Sequence, residues 1–321
     1  MNLLITGGCG FIGRNFIEYM NATYPAVKLF VVDKLTYAAD RKFAHEELRM
    51  HVDDLLFIDI NNITGHTLEN WGITHIVNFA AETHVDNSIT GPGIFTVSNT
   101  MGTHNLLEWS RKLGIKKFVQ VSTDEVYGSL GDLGYFNEST PLNPSSPYSA
   151  SKAAADQMCL AYWKTYKFPI CVTRCSNNYG PYQHVEKLIP KAITDLLSGK
   201  KVKIYGSGRN VRDWIYVKDH CSAIAKVLMD GRPGEVYNIG SNSEEQNMAI
   251  AKFIVTYMYP KTEVMSKIEY VEDRKGHDFR YAVDSTKIRE ELNWAPEVTI
   301  GDALKSTIDW YVNKYSWAGS L

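Results

Sequence analysis

Charged residues interrupt every apolar stretch of this sequence well short of the roughly 20 residues that a membrane-crossing helix needs, so a bilayer span is not expected. The opening run Met1-Asn2-Leu3-Leu4-Ile5-Thr6 has no basic segment, apolar core and cleavage site of a secretion signal; it reads as a strand, and a cytoplasmic location is expected. Charge of one sign is missing too. The formal net charge is −2, and Lys200-Lys201 is a short solvated pair, so nucleic-acid binding is not expected. Cysteine is sparse: Cys9, Cys159, Cys171, Cys175 and Cys221 make no CxxC pair and no even framework. Reduced, packed thiols are expected, with neither disulfides nor a metal site. Internal repeats and low-complexity linkers are absent as well.

What remains is an ordinary globular composition, 44% hydrophobic and 22% charged over 321 residues, enough for one large unit and a smaller lobe. Short β-branched or apolar runs alternate with helical stretches, the pattern of a parallel sheet covered on both faces. Strands are predicted near 3–6, 29–33, 55–59, 76–79, 118–122, 170–174 and 236–239, about seven in all. Helices are predicted over 103–113 and from Ser146-Pro147 onward, where Ser caps the first turn and Pro suits the first helical position. After about Arg174 the alternation degrades into a loop at Asn177-Asn178-Tyr179-Gly180-Pro181 and a turn at Gly206-Ser207-Gly208. The fold class is therefore α/β: a doubly wound parallel sheet of Rossmann type, with a smaller α/β substrate lobe. The first unit is expected from 1–175 and 212–240, the lobe from 176–211 and 241–321.

Directly after the first strand comes Gly7-Gly8-Cys9-Gly10-Phe11-Ile12-Gly13. Glycines let backbone approach a pyrophosphate, and the following helix N-terminus offers free N–H groups and a favourable dipole. The second strand ends in Asp33, about 20 residues after Gly13, where a carboxylate meets an adenosine ribose hydroxyl and repels a 2′-phosphate. NAD is thus favoured over NADP. A second cluster is Tyr148-Ser149-Ala150-Ser151-Lys152, whose Tyr148 and Lys152 lie one helical turn apart. An ammonium there would lower the phenol from its reference pKa of about 10 and make it a general base on a hydroxyl. At the carboxyl end of the fifth strand stand Asp124 and Glu125, where ligands of doubly wound sheets bind. Two acids in unequal environments can divide proton donation and proton abstraction.

The GxxGxxG spacing and the Tyr-x-x-x-Lys pair resemble the extended short-chain dehydrogenase/reductase superfamily. That likeness implies Asp59-Ile60 beside the adenine, Ala80-Ala81 packed on the cofactor, Asn99 near the ribose, and Thr123 completing the Tyr148-Lys152 set. Within the superfamily the chain resembles the dTDP-glucose 4,6-dehydratase family through TDEVYGSLG (123–131), PYSASKA (147–153), TRCSNNYGPYQ (173–183), NVRDWIYV (210–217), AAETHVDNSI (80–89) and DRKGHDFRYAVD (273–284). The resemblance implies an NAD-dependent hydro-lyase in which Tyr148 takes the sugar 4-hydroxyl proton, Glu125 the C5 proton, and Asp124 protonates the departing C6 hydroxyl. It implies that Arg212 pairs with the substrate diphosphate, Asn177 touches sugar or phosphate, and Asn178 touches the cofactor. Lys187, Leu188, Lys203, Tyr205, Asn247 and Asp273 to His277 would form the nucleotide pocket, and helices near Leu106 and Ala154 a homodimer. The family often has Pro at the place of Lys203, and the segment between Glu125 and Tyr148 is shorter than in some members. A UDP-glucose 4,6-dehydratase, a UDP-sugar 4-epimerase or decarboxylase, and a non-catalytic NAD sensor are the competing readings. The Asp124-Glu125 pair speaks against epimerase and decarboxylase, the intact Tyr148-Lys152 pair against the sensor.

Overall fold

The structure is a computed structural model that describes residues 1–273 and 278–316. Its chain forms strands β1 (Asn2–Thr6), β2 (Lys28–Val32), β3 (Asp54–Leu56), β4 (His75–Asn78), β5 (Lys117–Thr123), β6 (Ile170–Cys175), β7 (Asn177–Tyr179), β8 (Val202–Tyr205), β9 (Val211–Tyr216), β10 (Val236–Ile239), β11 (Glu244–Gln246), β12 (Ile268–Val271) and β13 (Arg280–Tyr281). Seven of them make one parallel sheet in the order β10-β6-β5-β4-β1-β2-β3. These are the strands predicted from the alternation, each within a few residues. Their continuous apolar runs follow from helices on both faces: every residue of β5, β6 and β10 is buried.

Register brings the carboxyl ends of the strands together. Thr6 at the end of β1 stands opposite Val32 of β2 and Asn78 of β4, and Thr123 of β5 stands opposite Cys175 of β6. The glycine turn, Asp33, Ala80-Ala81, Asp124-Glu125 and Ser176 therefore all leave the sheet along one edge, where doubly wound folds bind ligands. The 147–166 helix begins as the sequence predicts. Ser146 is its N-cap, forming a capping box with Ser149, and Pro147 is its first residue.

The second unit is built on β9. That strand pairs with β7, β11 and β13, while β8 and β12 form a separate parallel pair. Asn177–Tyr179, predicted as loop, is the strand β7. Asn is a poor strand former, and its extended state is set by pairing with Trp214–Tyr216 of β9, a partner distant in sequence. The stretch 212–240 is divided: β9 belongs to the second sheet, whereas the 217–230 helix packs on β5 and β6 and leads to β10. One apolar cluster runs from Leu3 and Ile5 of β1 through Ile224 to Ile189, Ile204 and Trp214, so both units share a core. The five cysteines are buried free thiols. Among the described residues no helix is long and apolar enough to cross a membrane, and no group of three or more His, Cys, Asp or Glu could hold a metal ion.

Candidate active site

Geometry at the end of β1 explains the glycines. Gly7 has φ +69°, and a Cβ there would stand 2.8 Å from the Ala80 nitrogen. A Cβ on Gly13 would come within 2.2 Å of the Gly7 carbonyl oxygen. The tight turn needs both positions bare. Asp33 ties the turn together, its Oδ2 accepting from the Cys9 N–H at 2.9 Å and its Oδ1 from the Leu35 N–H at 2.8 Å. Burial raises the Asp33 pKa, and the two N–H donors oppose the rise.

This turn opens on a cavity of about 290 Å³, lined by Gly7, Gly10, Phe11, Ile12, Gly13, Asp33, Asp59, Ile60, Ala80, Ala81, Thr123, Asp124, Glu125, Tyr148, Lys152, Asn177 and Asn178. Of the residues expected to touch a cofactor, Asn99 does not line it. Its Nδ2 donates to the Glu82 carbonyl at 3.0 Å and to Ser151 Oγ at 2.9 Å, and its Oδ1 accepts from the Glu82 N–H at 2.8 Å. Asn99 therefore braces the wall from behind. Lys34, which sequence reasoning missed, does line the cavity, with Nζ 2.9 Å from Glu82 Oε1 and 3.6 Å from Asp59 Oδ2. A lysine just after the strand-end acid carries no pattern that would have singled it out.

β5 delivers the acids. Thr123 closes the strand and caps the short turn Asp124–Tyr127, its Oγ1 accepting from the Glu125 N–H at 3.3 Å. Asp124 is 2% exposed. Burial first, and then the neighbouring Glu125 carboxylate, push its pKa well above the usual carboxylate range, which favours the protonated acid. Thr123 Oγ1 donates to Asp124 Oδ1 at 3.3 Å. The 147–166 helix delivers Tyr148 and Lys152, both buried.

Here the structure departs from the sequence expectation. Lys152 Nζ donates to the Val121 carbonyl of β5 at 2.7 Å, and burial lowers its pKa. The Tyr148 phenol is pushed well up, by burial first and then by Glu125, rather than down by the ammonium. The cause is burial, reinforced by the Glu125 carboxylate and opposed in part by a hydrogen bond that the Thr83 hydroxyl donates to the Tyr148 oxygen. Thr83 was missed by the sequence reading although it sits within the 80–89 motif; no spacing rule distinguishes it from its neighbours.

A second cavity, about 470 Å³, is lined by Arg212, Asn247, Lys203, Tyr205, Lys187 and Leu188 among others. It shares Thr83, Glu125, Asn177, Asn178, Gln183, Glu186 and Lys187 with the first, so the two form one cleft with Glu125 at the junction. Alternation along β8 buries Val202 and Ile204 and exposes Lys203 and Tyr205, and all four line the cavity. Arg212 is buried, stacks over the Tyr281 ring at 4.5 Å and donates to the Val211, Phe279 and Asp278 carbonyls at 2.7, 3.1 and 2.8 Å. Asn178 Oδ1 is 2.8 Å from His220 Nδ1, and burial lowers that imidazole to about 3. The ring is therefore neutral, and its Nδ1–H donates to the amide. His220 is a further residue no motif had marked. Asp273 lies against Gly206, where a Cβ would come within 2.5 Å of its Oδ2, and His277 lies outside the described residues.

With that geometry in hand, comparison with known proteins is specific. The family described as GDP-mannose 4,6 dehydratase matches residues 4–307. A dTDP-glucose 4,6-dehydratase of Xanthomonas campestris pv. campestris (strain B100) is 43% identical, covering 98% of this chain and 94% of the relative. One from Mycobacterium tuberculosis (strain ATCC 25618 / H37Rv) is 43% identical over 99% of this chain and 95% of its own. Among solved structures, the dTDP-glucose 4,6-dehydratase of Bacillus anthracis in complex with NAD superposes with a TM-score of 0.90 at 48% identity, covering 99% of this chain and 98% of that one. The Streptomyces venezuelae enzyme with NAD and TYD bound gives 0.91 at 44%, again covering 99% and 98%.

Proposed function

This chain belongs to the dTDP-glucose 4,6-dehydratase family, and from that premise we propose that it converts dTDP-glucose to dTDP-4-keto-6-deoxyglucose and water with NAD retained throughout. The observation that carries the reading is the meeting of three groups in one cavity: Tyr148, Asp124 with its pKa raised by burial, and Glu125, which also lines the second cavity. The glycine turn with its bare approach, Asp33 and the Ala80-Ala81 wall fit a dinucleotide, and Tyr148, Lys152 and Asn178 would hold its nicotinamide end. Bound there, NAD supplies a hydride acceptor at C4 and a donor at C6.

Within this frame each side chain has a task. Tyr148 would accept the 4-hydroxyl proton as a phenolate, a form that burial and Glu125 disfavour, that the hydroxyl of Thr83 favours, and that the positive nicotinamide ring of bound NAD would favour further, with Thr123 beside it. Glu125 takes the C5 proton, which the new ketone has acidified. Asp124, whose protonated form burial favours, donates to the C6 hydroxyl as it leaves as water. Arg212 offers a fixed guanidinium to the substrate diphosphate. Lys187, Lys203, Tyr205 and Asn247 surround the nucleoside. Thymidine and uridine differ at the base by one methyl, worth about 0.8 kcal/mol of burial, so the thymidine assignment follows the relatives' identity.

An epimerase needs no second acid beside Thr123, so the Asp124-Glu125 turn favours elimination over inversion at C4. Purified protein given dTDP-glucose and catalytic NAD yields a product lighter by one water, without net reduced cofactor. An unchanged sugar mass overturns the reading, and UDP-glucose assayed in parallel ranks the nucleotides. The reading also places the chain in the cytoplasm as a homodimer. Leu106 is fully buried and serves the core, so the partner face is the exposed run Ile94, Val97 and Met101 beside Ala154.

A further inference from the structure

The 147–166 helix carries a third polar residue on the face of Tyr148 and Lys152. Asp156 follows Lys152 by one more turn and is wholly buried. Its Oδ2 accepts from Arg174 Nε of β6 at 2.9 Å, in an ion pair whose side chains are 2% and 0% exposed. Arg174 stands in register between Ser122 of β5 and Asn238 of β10. Its Nη1 donates to the Tyr127 hydroxyl at 2.9 Å, and its guanidinium lies over the Tyr127 ring at 4.8 Å. Tyr127 in turn donates to Asn238 Oδ1 at 2.8 Å and stacks on Phe136 with ring centroids 5.0 Å apart.

Tyr127 is the last residue of the turn that bears Asp124 and Glu125. That end of the turn is fixed by two more contacts: the Asn143 N–H donates to the Val126 carbonyl at 3.0 Å, and Gly128 at φ +87° leaves no room for a side chain against the Asn143 carbonyl. A buried ion pair is a poor source of stability, because desolvating both charges offsets their attraction. What it supplies is direction, since a guanidinium with two committed donors holds both partners at fixed angles.

We infer that Asp156, Arg174 and Tyr127 form a strut of positioning residues that sets the Asp124-Glu125 turn against the helix bearing Tyr148 and Lys152. None of the three lines the cleft. They act through the turn, and so on elimination rather than on oxidation at C4. The inference rests on the dehydratase reading, which assigns these two steps to different groups.

Tyr127→Phe keeps the stacked ring and removes the hydroxyl that joins Arg174 to Asn238. Expected are a kcat lowered about tenfold, the scale on which small misplacement of reacting groups acts, and a KM for the nucleotide sugar changed less than about twofold. Oxidation at C4 proceeds, so reduced nicotinamide builds up transiently in the absorbance trace, while exchange of the C5 hydrogen with deuterated solvent slows. Arg174→Lys, which keeps a positive charge beside Asp156 and loses the second donor that reaches the Tyr127 hydroxyl, shifts the same partition. Wild-type partition in both variants, or oxidation and elimination slowed in parallel, overturns the strut. Wild-type protein that forms no dehydrated product removes the dehydratase reading and the strut with it, whereas wild-type turnover with unaltered variants removes the strut alone.

Discussion

Asp124 and Glu125 are neighbours in sequence, yet Asp124 is enclosed at 2% exposure while Glu125 reaches the junction of the two cavities. Burial and the Glu125 charge raise the Asp124 pKa in the folded state. Below the ordinary carboxyl pKa of about 3.9 folded and unfolded chains both carry this proton. As pH rises from there towards the folded pKa, the unfolded chain releases the proton that the folded chain keeps, and stability is lost. Asp124→Asn therefore melts a few degrees higher than wild type at neutral pH, with the gap closing in acid, while turnover falls by about 10² or more through loss of the proton donor. Thermal melts across pH and steady-state rates check both halves. Glu125→Gln retains cofactor binding but stalls after C4 oxidation, so rapid mixing shows reduced nicotinamide without water loss. Normal turnover in that variant strips Glu125 of its role. Tyr148, Lys152, Asp124 and Glu125 could be picked out in the sequence because they occur in local patterns, and the structure brings all four to the wall of one cavity. The charge environment was not, since the Lys152 bond to Val121 and the Thr83 contact to Tyr148 join segments far apart in sequence.

At the scale of elements, the β1 turn makes the sharpest claim. Alanine at Gly13 would bring its Cβ within 2.2 Å of the Gly7 carbonyl oxygen, a backbone atom that cannot swing aside. Gly13→Ala should destabilise the protein by about 1–3 kcal/mol and weaken NAD binding at least tenfold, on the order of 1.4 kcal/mol. Calorimetric titration and a melt measure the two effects. Elements buried on both faces announce themselves through apolar runs, which is why the strands of the large sheet were readable, as was the helix start at Ser146-Pro147. In the second unit the strands are as short as β7, β11 and β13, and their register comes from β9. Asn177-Asn178 could not reveal that partner locally.

Across the whole molecule, the cleft joins residues from both units: the first cavity takes Gly7 and Asp33 from the large sheet and Asn177, Gln183 and Lys187 from the second unit. A ligand binding both walls stabilises the folded state as its concentration exceeds its dissociation constant, so NAD and dTDP-glucose added together raise the unfolding midpoint beyond either alone. Residues proposed for the substrate, such as Arg212 and Lys203, were suggested only by family likeness, because nothing in their local spacing marks a diphosphate or a nucleoside. The central claim is that one hydride leaves C4 and returns to C6 of the same sugar while three side chains handle the protons. Substrate carrying deuterium at C4 tests this directly by mass spectrometry of the product. The account predicts the label at C6 with one water lost; label lost to solvent, or retained at C4 with inverted configuration, would contradict it.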